Sequence, residues 1–194
     1  MTGYIQVSLK VMLQSLSEDE IRNILSGFVC PFNSDIEYFL KQKSIEFAKQ
    51  GIAQTHLVLA PYKGEPVIAG YYSLAQKSII IDSASSLSNN WKRRINKFAL
   101  YDRDLRAYVL SVPLIAQLGK NYSNGFNRLI SGDELLKMAC DKVQEIQMAI
   151  GGRMVYIECE DVDKLKAFYR KNGFYEFSRR ELDREDRGRL SGRY

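Results

Sequence analysis

A chain of 194 residues is long enough for one domain with a real core and short for two. Hydrophobic residues at 45% and charged residues at 26% are globular values, which excludes a disordered or collagen-like chain. With a formal charge of +5, one histidine and three scattered cysteines (Cys30, Cys140, Cys159), the sequence excludes a histidine-rich metal centre and argues against a disulfide framework or zinc site. No apolar run approaches the ~20 residues that span a bilayer, and the first residues lack a signal-peptide pattern. The expectation is a cytoplasmic protein without membrane association, organised as a single domain over residues 1–194.

Chain order begins with a strand over Tyr4–Leu9. Ser17-Glu18-Asp19-Glu20 has the form of a capping box, and Ile21, Ile24, Leu25 and Phe28 follow at helical spacing. Ser34-Asp35-Ile36-Glu37 repeats that form ahead of the stripe Ile36, Phe39, Leu40 and Phe47, which stops near Gly51. Residues 54–60 and 67–74 read as strands joined by the turn-rich 61–66, and Ser78–Ile81 extends the sheet. His56 lies in the first of these strands, where packing is the better expectation than chemistry. The serine- and asparagine-rich stretch 83–90 reads as a mobile loop.

Positive charge is clustered. Residues 91–106 carry six basic and two acidic groups, and 179–194 carry six arginines and four acids. Such a run is most simply a solvated face, although Trp91 beside Lys92, Arg93 and Arg94 also suits a stacked, phosphate-bearing partner. Residues 108–120 are strand-like, and Pro113 within them predicts an edge position or a bulge. After a polar loop, Leu135, Ala139, Val143, Ile146 and Ile150 define the clearest helix, ended by Gly151-Gly152. Met154–Cys159 reads as a buried strand, Asp163–Asn172 as a short helix stopped by Gly173, and Phe174–Phe177 as the start of another strand.

The segment Leu165–Phe174, containing Phe168-Tyr169-Arg170-Lys171-Asn172-Gly173-Phe174 after the strand 154–159, resembles a signature of the GNAT superfamily of N-acetyltransferases. Ala69–Leu74, Val112–Leu118 and residues 32–59 are similar to segments of that superfamily and of its toxin members. The resemblance implies an α/β (α+β) fold: a mixed, mostly antiparallel sheet of six to seven strands, splayed between the fourth strand (114–119) and the fifth (154–159), with about four flanking helices. It implies acetyl-CoA as co-substrate, with its pantetheine paired along an open strand edge over residues 114–119, which includes Gln117, Leu118 and Gly119. Its pyrophosphate would lie by Lys120, Asn124, Gly125, Arg128, Ser131 and Gly132, at a helix start whose backbone N–H groups and dipole favour anions. Only Gly132 matches the superfamily's glycine-rich loop; Asn127 and Ile130 occupy the other two positions, and Ser131–Glu134 also reads as a plain capping box.

Tyr169 matches the superfamily's proton donor to the departing thiolate. Glu158, at the end of the fifth strand, suits a base acting through water, whereas Glu160 and Asp161 read as solvent or cap groups and Cys159 as an inert thiol. A backbone N–H around Gln117–Gly119 suits the oxyanion. Of Tyr71 and Tyr72, one is expected to line the acceptor pocket and the other to pack. The tail 179–193 lacks the apolar run of a seventh strand, so an exposed edge and a homodimer are expected. The resulting reading is an acetyl-CoA-dependent N-acetyltransferase acting on a primary amine by direct attack. The alternatives are toxin-like acetylation of aminoacyl-tRNA, consistent with tRNA or another anionic partner, and a catalytically degenerate binding module.

Overall fold

The computed structural model describes residues 3–82 and 88–176. The expected Ser83–Asn90 loop therefore lies largely outside the described residues, as do Phe177 and the whole 179–194 tail.

Strand β1 (Ile5–Ser8) is short because Ser8 turns at once into a helical turn, α1 (Leu9–Met12), its hydroxyl accepting from the Val11 N–H. Helix α2 (Glu18–Ser26) starts at the expected capping box: Ser17 and Glu20 satisfy each other's backbone N–H groups. The second expected box is corrected. Asn33, not Ser34, caps α3 (Ser34–Tyr38), accepting from the N–H groups of Asp35 and Ile36, while Glu37 accepts from the Cys30 N–H and pairs with Lys41. An unbroken helix to Gly51 is also corrected. A wide turn over Phe39–Lys43 separates α3 from α4 (Ser44–Gln50), and Gly51 closes it in the left-handed conformation.

Strands β2 (Ala53–Tyr62) and β3 (Glu65–Asp82) form a hairpin whose two-residue turn places Lys63 and Gly64 at positive φ, which matches the right-handed strand twist. Helix α5 (Asn89–Ile95) and β4 (Leu100–Asp102) follow, then β5 (Ala107–Lys120), α6 (Gly132–Ile150), β6 (Tyr156–Ile157) and α7 (Asp163–Lys171). The sheet order is β1-β2-β3-β5-β4, with β6 added to β5. All pairings are antiparallel except the last, which is parallel. Among the described residues seven α-helices stand in place of the expected four or so, because several are short, down to a single turn. The expected strand over 154–159 is reduced to Tyr156–Ile157, and Phe174–Glu176 are not in a strand.

Side-chain alternation divides the core between the two sheet faces. Tyr71 faces α1–α4 with Leu57, Phe28, Leu40 and Ile45; Tyr72 faces α6 with Val58, Ile115, Leu135 and Ala139. Helix α6 lies over the second face through Leu135, Leu136, Ala139 and Val143. Among the described residues no helix is long and apolar enough to cross a membrane.

Candidate functional site

Pairing of β5 with β6 lasts for two residues, Leu114 with Tyr156 and Ile115 with Ile157. Beyond them β5 runs on to Lys120 along β3, while the chain after Ile157 leaves the sheet. The two strands run parallel, and because pairing stops at Ile157 while β5 continues, it is their carboxyl ends that part into a V. Pro113 fits this edge: it faces Gln76 on β3 and lies between the stretch of β5 paired with β4 and the stretch paired with β6. A register shift at Ser73/Leu74 inserts Ala116 as a bulge three residues later; Pro113 itself stays in register with Gln76, so of the two devices expected there it is the edge position that applies.

The register fixes which backbone groups face the V. The Asn121 N–H donates to the Ala69 carbonyl at 2.8 Å, continuing the ladder beyond Gly70 and Lys120. Antiparallel ladders alternate, so the N–H and C=O groups of Gly119 and Gln117 also face β3, and those of Leu118 and Lys120 face outward. Of the three expected edge residues, only Leu118 therefore offers a backbone donor to the V. Gln117 instead donates through its side chain to Asp35 at 3.2 Å. Gly119 is a packing glycine: a β-carbon there would run into Ile36 Cγ2 and contact Tyr71 and Phe28.

Helix α6 begins beside this edge. Ser131 caps it and Glu134 returns a carboxylate to the Ser131 N–H at 2.8 Å, while helix geometry leaves the Gly132 and Asp133 N–H groups without intrahelical partners. Asp133 is turned toward α7, accepting from Lys171 at 2.6 Å and Asn172 at 2.9 Å; the Lys171 contact first, then Asn172, holds its carboxyl below the usual range. Lys120 stands near Glu134 on the same face, and burial lowers its pKa. The turn Ser123–Arg128 carries Asn124 and Gly125 at positive φ; Asn124, Gly125 and Arg128 are exposed. Ile130 is a core residue, 2% exposed, which removes it from any anion-binding role.

Helix α7 brings Tyr169 to the α6 side of the V. Its ring meets Phe168 at 5.1 Å and Phe174 at 5.9 Å, both edge-on, and burial raises the phenol's pKa, so it holds its proton at neutral pH. Phe168 in turn lies against Gly132, joining α7 to the start of α6.

Glu158 follows the last paired residue of β6 and faces the opposite side. Lys77 of β3 pairs with its Oε1, which also accepts the Tyr156 hydroxyl at 3.1 Å. Glu160 accepts from Asn33 at 3.1 Å, and Asp161 pairs with Lys166 at 2.5 Å, so neither is merely a solvent group. Cys159 has its thiol pKa raised, first by burial and then by Glu176 and Asp161, in keeping with an inert thiol. A cavity of about 490 Å³ beside β6 is lined by Glu158, Cys159 and Tyr169 and by Ile79, Leu110 and Trp91. It does not reach Leu118, Lys120 or Gly132, and the open edge of β5, not this cavity, is where an extended amide chain can pair.

Three expectations are corrected or refined. Neither Tyr71 nor Tyr72 lines an acceptor pocket: both are fully buried, donating to the Ile36 carbonyl and to Gln6 Oε1, each at 2.6 Å. His56 stacks on Tyr72 at 4.9 Å, and burial, then Lys142, lowers its pKa to about 4, which fits packing. Trp91 packs against Tyr175 at 5.3 Å with Arg94 over its ring, as a covered surface residue. Sequence reasoning missed Lys77 and Asn33; the first had a signal, being a lysine on a strand face otherwise filled by apolar and small residues.

No protein-family model and no curated protein sequence matches the chain. Solved structures do. The toxin AtaT complexed with acetyl-methionyl-tRNAfMet is 17% identical, with a TM-score of 0.61 over 89% of this chain and 86% of that one. A tyrosine-to-phenylalanine mutant of KacT is 16% identical, with a TM-score of 0.62 over 93% and 89%. A mutant AtaT bound to the C-terminus of the antitoxin AtaR and acetyl-CoA is 15% identical, with a TM-score of 0.55 over 88% and 84%. The chain shares the GNAT fold of these proteins, as the 165–174 segment led one to expect.

Proposed function

We propose that the chain is an N-acetyltransferase that uses acetyl-CoA and a primary amine in a direct-attack reaction. The observation that carries this reading is the V between β5 and β6, with the outward N–H of Leu118 on one wall and the protonated phenol of Tyr169 on the α6 face, where the Leu118 and Tyr169 side chains pack against one core cluster. Acetyl-CoA, when bound, supplies an activated acyl carbonyl and a thiolate leaving group. The residues present suit it. Leu118 and Lys120 offer an unpaired backbone edge to an amide chain, and Gly132 and Asp133 offer N–H groups with Lys120 nearby for phosphates; Asn124, Gly125, Arg128 and Ser131 border that place. The binding of acetyl-CoA by the similar AtaT supports the choice of co-substrate.

In this reading Leu118 donates to the developing oxyanion, Tyr169 gives its proton to the sulfur, and Glu158 takes the ammonium's proton through water. Gln117 and Gly119 hold the wall in register against β3. The acceptor enters from the α3 face, where Glu158 and Glu160 stand. A cytoplasmic site of action and a homodimer belong to the same reading.

Acetylation of aminoacyl-tRNA is the more specific form. It is supported by the likeness to AtaT complexed with acetyl-methionyl-tRNAfMet and by Lys92, Arg93 and Arg94 on α5. A test is calorimetric titration with acetyl-CoA, followed by thiol release with aminoacyl-tRNA, peptide amines and polyamines as acceptors. Binding with thiol release for one acceptor class is the expected result. Salt-sensitive RNA binding without thiol release would instead support the degenerate binding module.

A further inference from the structure

Lys77 is not required by a cofactor slot, yet its position in the fold is unusual. It follows Tyr71, Ser73 and Ala75 and precedes Ile79 and Ile81 on one face of β3, opposite Val112 of β5, which is 4% exposed. A lysine in such surroundings is unfavourable unless its ammonium is paired. Lys77 finds its partner two strands away. Its Nζ reaches over β5 to Glu158 Oε1 and stands 5.7 Å from the centre of the Tyr156 ring, while the Tyr156 hydroxyl donates to the same carboxylate oxygen at 3.1 Å. With side-chain exposures of 28% for Lys77 and 21% for Glu158, this is not a solvated surface pair.

Backbone pairing of β6 ends at Ile157. From Glu158 onward no ladder bond to β5 sets the direction of the chain, so side chains set it. Lys77 extends the attachment of β6 by one residue, on the α3 face of the sheet, at the point where the two walls separate.

We propose that Lys77 is a positioning residue that fixes where β6 parts from β5 and aims the Glu158 carboxylate at the incoming amine. The role given to Glu158 rests on the acetyltransferase reading; the anchoring of residues 156–161 does not.

The test compares Lys77→Met, which keeps the stem and drops the charge, with Lys77→Arg, Glu158→Gln and the Lys77→Met/Glu158→Gln pair. One readout is amide hydrogen exchange across residues 156–161; the other is thiol release from acetyl-CoA with aminoacyl-tRNA as acceptor. Lys77→Met is expected to speed exchange in that segment about fivefold with the rest of the sheet unchanged. It is expected to lower kcat about tenfold while leaving the KM for acetyl-CoA within about twofold, with Lys77→Arg restoring both readouts. Adding Lys77→Met to Glu158→Gln is expected to cost nothing further. Unchanged exchange in Lys77→Met overturns the anchoring, and losses that multiply in the double variant overturn action through Glu158. A wild-type protein that releases no thiol with aminoacyl-tRNA, peptide amines or polyamines, but whose exchange responds as described, sinks the acetyltransferase reading and leaves the anchoring standing.

Discussion

The Phe168 ring rests on Gly132: a β-carbon added at Gly132 would meet the ring edge at 3.2 Å. The start of α6 and the helix that carries Tyr169 are thus in contact through a residue with no side chain. A branched side chain at Gly132 must push Phe168 away, and α7 with it. Gly132→Val is expected to destabilise the fold by about 1–3 kcal/mol through overpacking, and to weaken acetyl-CoA binding. Gly132→Val combined with Phe168→Leu is expected to recover part of the stability in urea unfolding.

Gly119 makes a second close approach, on the opposite face. Its missing side chain leaves room for Ile36 of α3, whose branched Cγ2 has no flexible end to swing aside. Gly119→Ala is expected to cost about 1–3 kcal/mol in chemical denaturation, and Ile36→Ala in the same chain to return much of that loss. An alanine tolerated in the Ile36 background would mean that α3 does not lie against β5 as described.

Local signals in the chain were legible where one residue sufficed to make them. Ser17 and Glu20 cap α2, Ser131 and Glu134 cap α6, Pro113 marks an edge, and Gly51 closes α4. The fold was legible through the 165–174 segment, since the aromatic helix and its glycine stop follow a strand. What failed were features decided by tertiary partners. Ser34 and Asn33 are both good caps, and the contact of Asn33 with Glu160 favours Asn33. Alternation assigns one of Tyr71 and Tyr72 to a pocket and the other to the core, yet Ile36 and Gln6 satisfy both hydroxyls and both rings pack. The direction of the Gln117, Leu118 and Gly119 N–H groups depends on register with β3, which no single strand encodes.

His56 gives the fold a defined sensitivity to acid. Its folded pKa of about 4, lowered first by burial, lies below the ordinary 6.5 of an unfolded histidine. As pH falls below ~6.5 the unfolded chain takes up a proton that the folded chain refuses until about pH 4. Stability from this group is therefore fully present above the unfolded value and declines through that window, by at most about 1.4 kcal/mol per pH unit. His56→Gln is expected to flatten this part of the pH dependence. The difference between wild type and variant in urea midpoint should shrink between pH ~7 and pH ~4.5; a gap that stays constant would show that His56 protonates equally in both states.

The alternation along β5 makes a sharper prediction than any side chain does. Proline lacks a backbone donor, so its cost depends on whether that donor was in use. At Leu118 the N–H faces outward, as the ring of Pro113 already does on the same strand, whereas at Gln117 it feeds the β3 ladder. Leu118→Pro is expected to retain a cooperative thermal transition within a few degrees of wild type, while Gln117→Pro loses about 3 kcal/mol or more. Activity should separate in another way. Leu118→Pro removes the proposed oxyanion donor and is expected to reduce kcat by about 10²–10³. Tyr169→Phe keeps the ring contacts with Phe168 and Phe174 and is expected to retain acetyl-CoA binding while losing about 10²-fold or more in turnover. A Leu118→Pro protein that unfolds as readily as Gln117→Pro would place the Leu118 N–H in the ladder, and with it the open edge on which the V depends.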